Sequence, residues 1–197
     1  FSVLHMGRIV VRPPWLEYAA KAGEVVIGMD PGMAFGTGHH PTTRMCLTEL
    51  EKLVTPGMKV MDVGTGSGIL TIAAAKLGAK HVLALDIDPL AIRAARANVR
   101  ANGLQGVVKV QRRTLSPEDD VGGEFDLVVA NLYTKVILDI APTLVAQLAP
   151  RSNLIISGIL AERVWEVEQS LEAAGCILLR MDREGDWAVL VGSKTRG

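Results

Sequence analysis

Apolar and polar positions change their period along the chain, and those changes mark the elements. Short, nearly continuous apolar runs recur at Lys59–Val63, His81–Asp86, Val107–Gln111, Phe125–Asn131 and Asn153–Ser157. Runs of that length and character predict strands covered on both faces. Between them, amphipathic or alanine-rich stretches predict helices over Ile69–Leu77, Pro89–Asn102, Thr134–Leu148 and Glu162–Ala174, with Gly78, Gly103 and Gly175 at or just past helix ends. Pro41 suits the first turn of a helix over Thr42–Leu53 that ends near Pro56-Gly57. Cys176–Met181 and Trp187–Val191 flank the turn signal Glu184-Gly185-Asp186 and predict a closing hairpin. Strand and helix in alternation specify an α/β fold: a Rossmann-like, mostly parallel seven-stranded sheet with helices on both faces and a C-terminal antiparallel hairpin. Residues 1–30 read as an N-terminal arm or linker, with short strands at Ile9–Val11 and Val25–Ile27 around Arg12-Pro13-Pro14-Trp15. Residues 31–197 form the single domain.

Composition narrows the class without naming it. A chain of 197 residues with 49% hydrophobic and 21% charged residues has the makeup of one soluble domain with a sizeable core. Formal net charge is zero, which disfavours nucleic acid or an anionic membrane as a partner. No apolar stretch reaches transmembrane length, and Phe1–Val11 lacks the pattern of a signal peptide, so a cytoplasmic, probably-unpaired state is not needed to explain the pattern: a cytoplasmic monomer is the expectation. Cys46 and Cys176 read as buried free thiols. Phenylalanine in first place reads as a shortened chain.

Candidate chemistry gathers at the predicted strand ends, where open α/β sheets bind ligands. Asp62–Gly68 reads DVGTGSG between a strand and a helix. Gly64, Gly66 and Gly68 let the backbone approach a ligand and turn into a helix whose first amides face a carboxylate. Asp86 closes the next strand and suits the two hydroxyls of a ribose; Asp88 reads equally well as a helix cap before Pro89. Ile87 lies against an adenine face or is simply buried. Thr114-Leu115 follows the third strand, where a base can be sandwiched. Asn131 ends an otherwise apolar strand, and its amide needs a partner there. A dinucleotide site spaces its glycines G-x-G-x-x-G, whereas this chain has G-x-G-x-G with Ile69 at the third dinucleotide position. Asp62 is of no use to a pyrophosphate but suits a sulfonium and an ammonium, so the spacing favours S-adenosylmethionine (SAM) over a dinucleotide. His39 and His40 are adjacent, point in different directions and have no Cys/His cluster to join, so no metal site is expected; loop ordering or proton uptake fits them better. Trp15, Trp165 and Trp187 show no common spacing and read as core or arm packing.

One stretch carries a more specific resemblance. Asp30–Arg44, DPGMAFGTGHHPTTR, resembles the signature loop of the ribosomal protein L-11 methyltransferase family. The chain continues in that family's manner through DVGTGSG, then DIDP, Asn131-Leu132 and Ser157-Gly158-Ile159-Leu160, so the resemblance runs from about Gly7 to Val191. It implies a class I methyltransferase that moves methyl groups from SAM to lysine ε-amines and the N-terminal α-amine of a large-subunit ribosomal protein. It further implies that Phe35, Thr37 and Gly38 close over the cofactor while Gly64, Gly66, Asp86 and Asn131 hold it from the sheet side. Asn131, Leu132 and Tyr133 would form the catalytic segment, with Tyr133 either contacting substrate or standing partly exposed at a helix start. The family's small N-terminal recognition domain is expected to be absent from this chain. Methyltransferases of nucleic acid or glutamine usually carry Asn/Asp-Pro-Pro-Tyr at the corresponding place, and Leu132-Tyr133 departs from it. A SAM-binding module without catalysis, or an enzyme of the same fold for another protein or a small molecule, stands as the alternative.

Overall fold

The computed structural model describes residues 2–30, 39–118 and 124–195. Three short strands come first: β1 (Leu4–Met6), β2 (Ile9–Arg12) and β3 (Val25–Gly28). Helix α1 (Pro41–Leu53) leads into β4 (Lys59–Val63), α2 (Ile69–Lys76), β5 (His81–Asp86), α3 (Pro89–Ala101), β6 (Val108–Arg112) and β7 (Phe125–Asn131). Then follow α4 (Thr134–Ala146), β8 (Leu148–Leu160), a 3-10 turn at Ala161–Arg163, α5 (Val164–Ala173), β9 (Cys176–Glu184) and β10 (Trp187–Lys194).

The main sheet has the order β6-β5-β4-β7-β8-β10-β9. Neighbours from β6 to β8 are parallel, and β10 runs antiparallel to both β8 and β9. This is the expected seven-stranded, mostly parallel α/β architecture with its closing hairpin. Winding reverses at β4: one crossover goes out to β5 and the chain later returns to β7 on the other side. A crevice therefore opens beyond the carboxyl ends of β4 and its neighbours.

Alternation along the buried strands divides the core between two faces. Val60, Leu127, Val129 and Ile155 pack with side chains of α1, α2 and α3. Met61, Val63, Val128, Ala130, Leu154 and Ile156 pack with those of α4 and α5. Burial of each large apolar side chain contributes roughly 1.5–3 kcal/mol, so both faces hold the strand ends in register.

Two stretches depart from the sequence expectations. The predicted strand Asn153–Ser157 extends over Leu148–Leu160, and the preceding helix stops at Ala146. Pro150 hides the first part of that strand; Arg151 takes a positive φ of 65°, and the pairing with β7 shifts register between Phe125 and Leu127. The early strands are also more than an arm. They form their own sheet, in which β2 pairs antiparallel with β1 and parallel with β3. Ile9 and Ile27 are completely buried against the α1–α3 face. Asn102, the C-cap of α3, fastens this sheet: its Oδ1 accepts from the Gly28 amide (3.0 Å) and its Nδ2 donates to the Gly28 carbonyl (2.8 Å).

Asn102→Ala is expected to lower stability by about 1–3 kcal/mol, since it leaves both Gly28 groups without their partner. Denaturant unfolding measures the loss, and hydrogen exchange should localise it to β2 and β3. An unchanged midpoint would show that the small sheet does not rely on this clasp.

Candidate functional site

Beyond the ends of β4, β5 and β7 lies a cavity of about 570 Å³, lined by residues of the segments that follow these strands and by the start of α1 and β10. Its floor is the loop after β4. The amides of Gly64 and Thr65 both donate to the Leu85 carbonyl (2.9 Å each), so the end of β5 turns the loop. Asp86 holds the loop from the side: Oδ2 accepts from the Gly66 amide (2.9 Å) and Oδ1 from the Asp88 amide (3.0 Å). From beneath, Asn98 of α3 donates to the Ser67 carbonyl (2.8 Å).

The end of β7 forms the opposite wall. Asn131 and Leu132 line the cavity, and the Leu132 amide donates to the Ser157 carbonyl (3.1 Å). Leu132 passes between two glycines. At Gly158 (φ 81°), an added Cβ would sit 2.8 Å from the Leu132 amide nitrogen and carbonyl carbon, which no side chain tolerates. At Gly64 (φ 78°), a Cβ would run into the Leu132 side chain. Both positions need glycine for space as well as for backbone conformation.

The sequence candidates do not all meet here. Gly64, Gly66, Asp86, Ile87, Asn131, Leu132 and Tyr133 line the cavity. Ile87 is 67% exposed, which overturns its reading as a buried core residue and leaves its side chain at the cavity. Asp88 lines the cavity and also caps α3, accepting from the Leu90 amide (2.9 Å). Tyr133 is 76% exposed at the start of α4. Leu115 is a correction: it is buried in the core on the α4–α5 side, and its neighbour Thr114 faces the cavity instead. Gly68 caps α2 and packs with its Cα region against Ala95 of α3. It gives the close helix contact and is not among the lining residues. Phe35, Thr37 and Gly38 lie outside the described residues.

Asp62 is also placed differently. It is fully buried beneath the loop, and its Oδ2 accepts from the hydroxyls of Thr65 and Thr71 (2.8 Å each). Its Oδ1 has no hydrogen-bond partner among the described residues. Burial pushes its pKa up to about 6; the two threonine hydroxyls oppose that shift, and the Asp86 charge adds to it. At neutral pH the loop therefore rests on a buried, mostly ionised carboxylate.

Several lining residues escaped the sequence. His40 is the N-cap of α1: its Nδ1 accepts from the Thr42 amide (3.2 Å) and lies 2.8 Å from the Thr42 hydroxyl. An accepting Nδ1 puts the ring proton on Nε2. The His40 ring meets Trp187 edge-on, with centroids 5.1 Å apart and planes at 67°. Trp187, expected as packing, lines the cavity because β10 begins opposite Leu160 at the end of β8. Trp15 and Trp165 are more than half exposed, so neither belongs to the core. Arg113, Leu90, Val136 and Gly158 complete the walls, and only the sheet order brings them together. Cys46 and Cys176 are buried and unbonded. Among the described residues, no group of three or more His, Cys, Asp or Glu side chains is placed to hold a metal ion, and no helix is long and apolar enough to cross a membrane.

The sequence profile of the family described as ribosomal protein L11 methyltransferase (PrmA) matches residues 3–195. The chain belongs to that family. It is 51% identical to the ribosomal protein L11 methyltransferase of Pelotomaculum thermopropionicum, over 93% of this chain and 59% of that protein. It is 46% identical to that of Chloroflexus aurantiacus, over 97% of this chain and 65% of that protein. The chain thus spans about three fifths of the curated relatives it matches. A crystal structure of ribosomal protein L11 methylase from Lactobacillus delbrueckii subsp. bulgaricus superposes with a TM-score of 0.89 at 36% identity, covering all of both chains. Precorrin-6y C5,15-methyltransferase from Geobacter metallireducens, at 14% identity and a TM-score of 0.65, shares the fold.

Asp62 gives this family member a pH-dependent stability with a defined sign. Its folded pKa lies above its unfolded value, so its favourable contribution is complete below about pH 4 and is lost as pH rises through about 6. The loss is on the order of 3 kcal/mol. Asp62→Asn removes the titration, so its stability relative to the unsubstituted chain should rise between pH 4 and pH 7. Urea unfolding at several pH values reads this difference. A difference that stays flat would place the buried charge elsewhere.

Proposed function

We propose that this chain is the catalytic part of a SAM-dependent methyltransferase acting on lysine ε-amines and the N-terminal α-amine of a large-subunit ribosomal protein, L11 by the names of its relatives. The observation that carries the reading is the convergence of the Gly64–Gly66 backbone, the Asp86 carboxylate and Asn131 on one cavity in a chain of this family.

The residues present fit SAM. A cavity of about 570 Å³ is in the range that small-molecule sites occupy. Asp86 keeps lone pairs beyond those given to the two amides, and these suit the hydroxyls of a ribose. Ile87 offers an exposed apolar surface to a base, and the bare backbone at Gly64 leaves room that a side chain would fill. Asp62 touches no ligand directly in this reading; its charge beneath the loop favours a cationic one. Phe35, Thr37 and Gly38 would close the site, as the family resemblance implies. When bound, SAM supplies a methyl group on an electrophilic sulfonium.

The chain's own residues have to position an uncharged amine. A free lysine titrates near ~10.4, so it must reach the site deprotonated or lose its proton there. On the side of Asn131 away from Asp86, the lining residues His40, Thr42, Leu132, Gly158 and Trp187 include no carboxylate to hold a primary ammonium. Asn131, at the β7 end, can accept a hydrogen bond from the amine and so direct its lone pair. Zero net charge gives no support to a nucleic-acid substrate. A ribosomal-protein substrate implies the cytoplasm as the place of action.

Labelled SAM and purified L11, offered to this chain and to the chain joined to the N-terminal part of a relative, test the reading. Methyl transfer to amines is expected, and Asn131→Ala should lower kcat/KM on the order of a hundredfold. Transfer in neither case would contradict the ribosomal-protein assignment, and full activity of Asn131→Ala would remove that residue from the site.

A further inference from the structure

The strand order divides the cavity. β4 and β5 carry Gly64, Gly66 and Asp86 on one side of Asn131, while β8 and β10 carry Gly158 and Trp187 on the other. The second side is the less polar one, and its largest side chain is an indole. Trp187 is the first residue of β10, paired with Leu160 on β8 and Glu184 on β9, so two strands fix its backbone. The side chain meets His40 edge-on at 5.1 Å, and His40 is itself fixed as the α1 cap. Capping leaves Nδ1 as an acceptor, so the imidazole beside the indole is uncharged.

We propose that Trp187, steadied by His40, is a specificity-determining residue that takes methylated ammonium groups on the acceptor side of the cavity. The inference rests on the amine-methyltransferase reading above. An aromatic wall without a carboxylate discriminates between cations by their hydration. A primary ammonium brings three N–H donors and a tight hydration shell, and these walls offer little to replace it. A trimethylammonium needs no acceptors and is weakly hydrated, so the face of an indole stabilises it well. The slot therefore favours amines that already carry methyl groups over unmodified ones. Such a preference would keep a partly methylated side chain at the site for another round.

The test titrates Nα-acetyl-lysine amide and its Nε-dimethyl and Nε-trimethyl forms into the chain saturated with S-adenosylhomocysteine, following the indole N–H resonances. The Trp187 signal, assigned with Trp187→Phe, should shift with the methylated forms, which should bind about tenfold or more tightly than unmodified lysine. Trp187→Leu should abolish that preference and Trp187→Phe should keep most of it, with S-adenosylhomocysteine affinity unchanged in both. A preference that survives in Trp187→Leu, equal affinity for all three amines, or a Trp187 response to guanosine alone would overturn the proposal. Failure of the unsubstituted chain to bind S-adenosylhomocysteine would instead overturn the methyltransferase reading on which it rests.

Discussion

The site depends on a close approach of backbone to backbone at the end of β7. Leu132 lies between Gly64, after β4, and Gly158, near the end of β8. Three neighbouring strands can converge there only because two of them present no side chain. The Leu132 amide donates to the Ser157 carbonyl and carries the sheet pairing one residue past Asn131. That continuation sets where the Asn131 side chain leaves the sheet and where α4 begins.

The glycine loop is held by a second set of constraints that converge on the same place. Asp86 takes its Gly66 amide, Asn98 takes its Ser67 carbonyl, and Asp62 takes the hydroxyls of Thr65 and Thr71. Few of these bonds would be available to an extended strand, so the loop conformation is specified from three elements at once. The cost is an ionisable group in the core with one oxygen unpaired. Such a cost is consistent with a loop built to face a cation, where the buried charge is compensated on binding.

Much of this was legible in the sequence because the deciding signals are local. Apolar runs marked β4, β5 and β7, Pro41 and Pro89 marked helix starts, and the glycine spacing marked the loop. What could not be read depends on contacts distant in sequence. Trp187 reaches the cavity only because β10 inserts between β8 and β9, which no periodicity reveals. Gly158 looked like part of a motif, and its role appears only once Leu132 is beside it. Thr114 and Leu115 are adjacent, and sequence alone did not decide which faces the ligand side. Asp62 was right as a signal but sits beneath the loop rather than at the cavity wall. The early strands read as an arm because their burial partners are on α1, α2 and α3, far along the chain.

Calorimetric titration with S-adenosylhomocysteine tests the central claim most directly, because it asks whether the cavity under Leu132 is a SAM site at all. One equivalent should bind to the unsubstituted chain, and binding should vanish in Gly66→Arg while circular dichroism shows the fold intact. Absence of binding by the folded, unsubstituted chain, or undiminished binding by Gly66→Arg, would contradict the account.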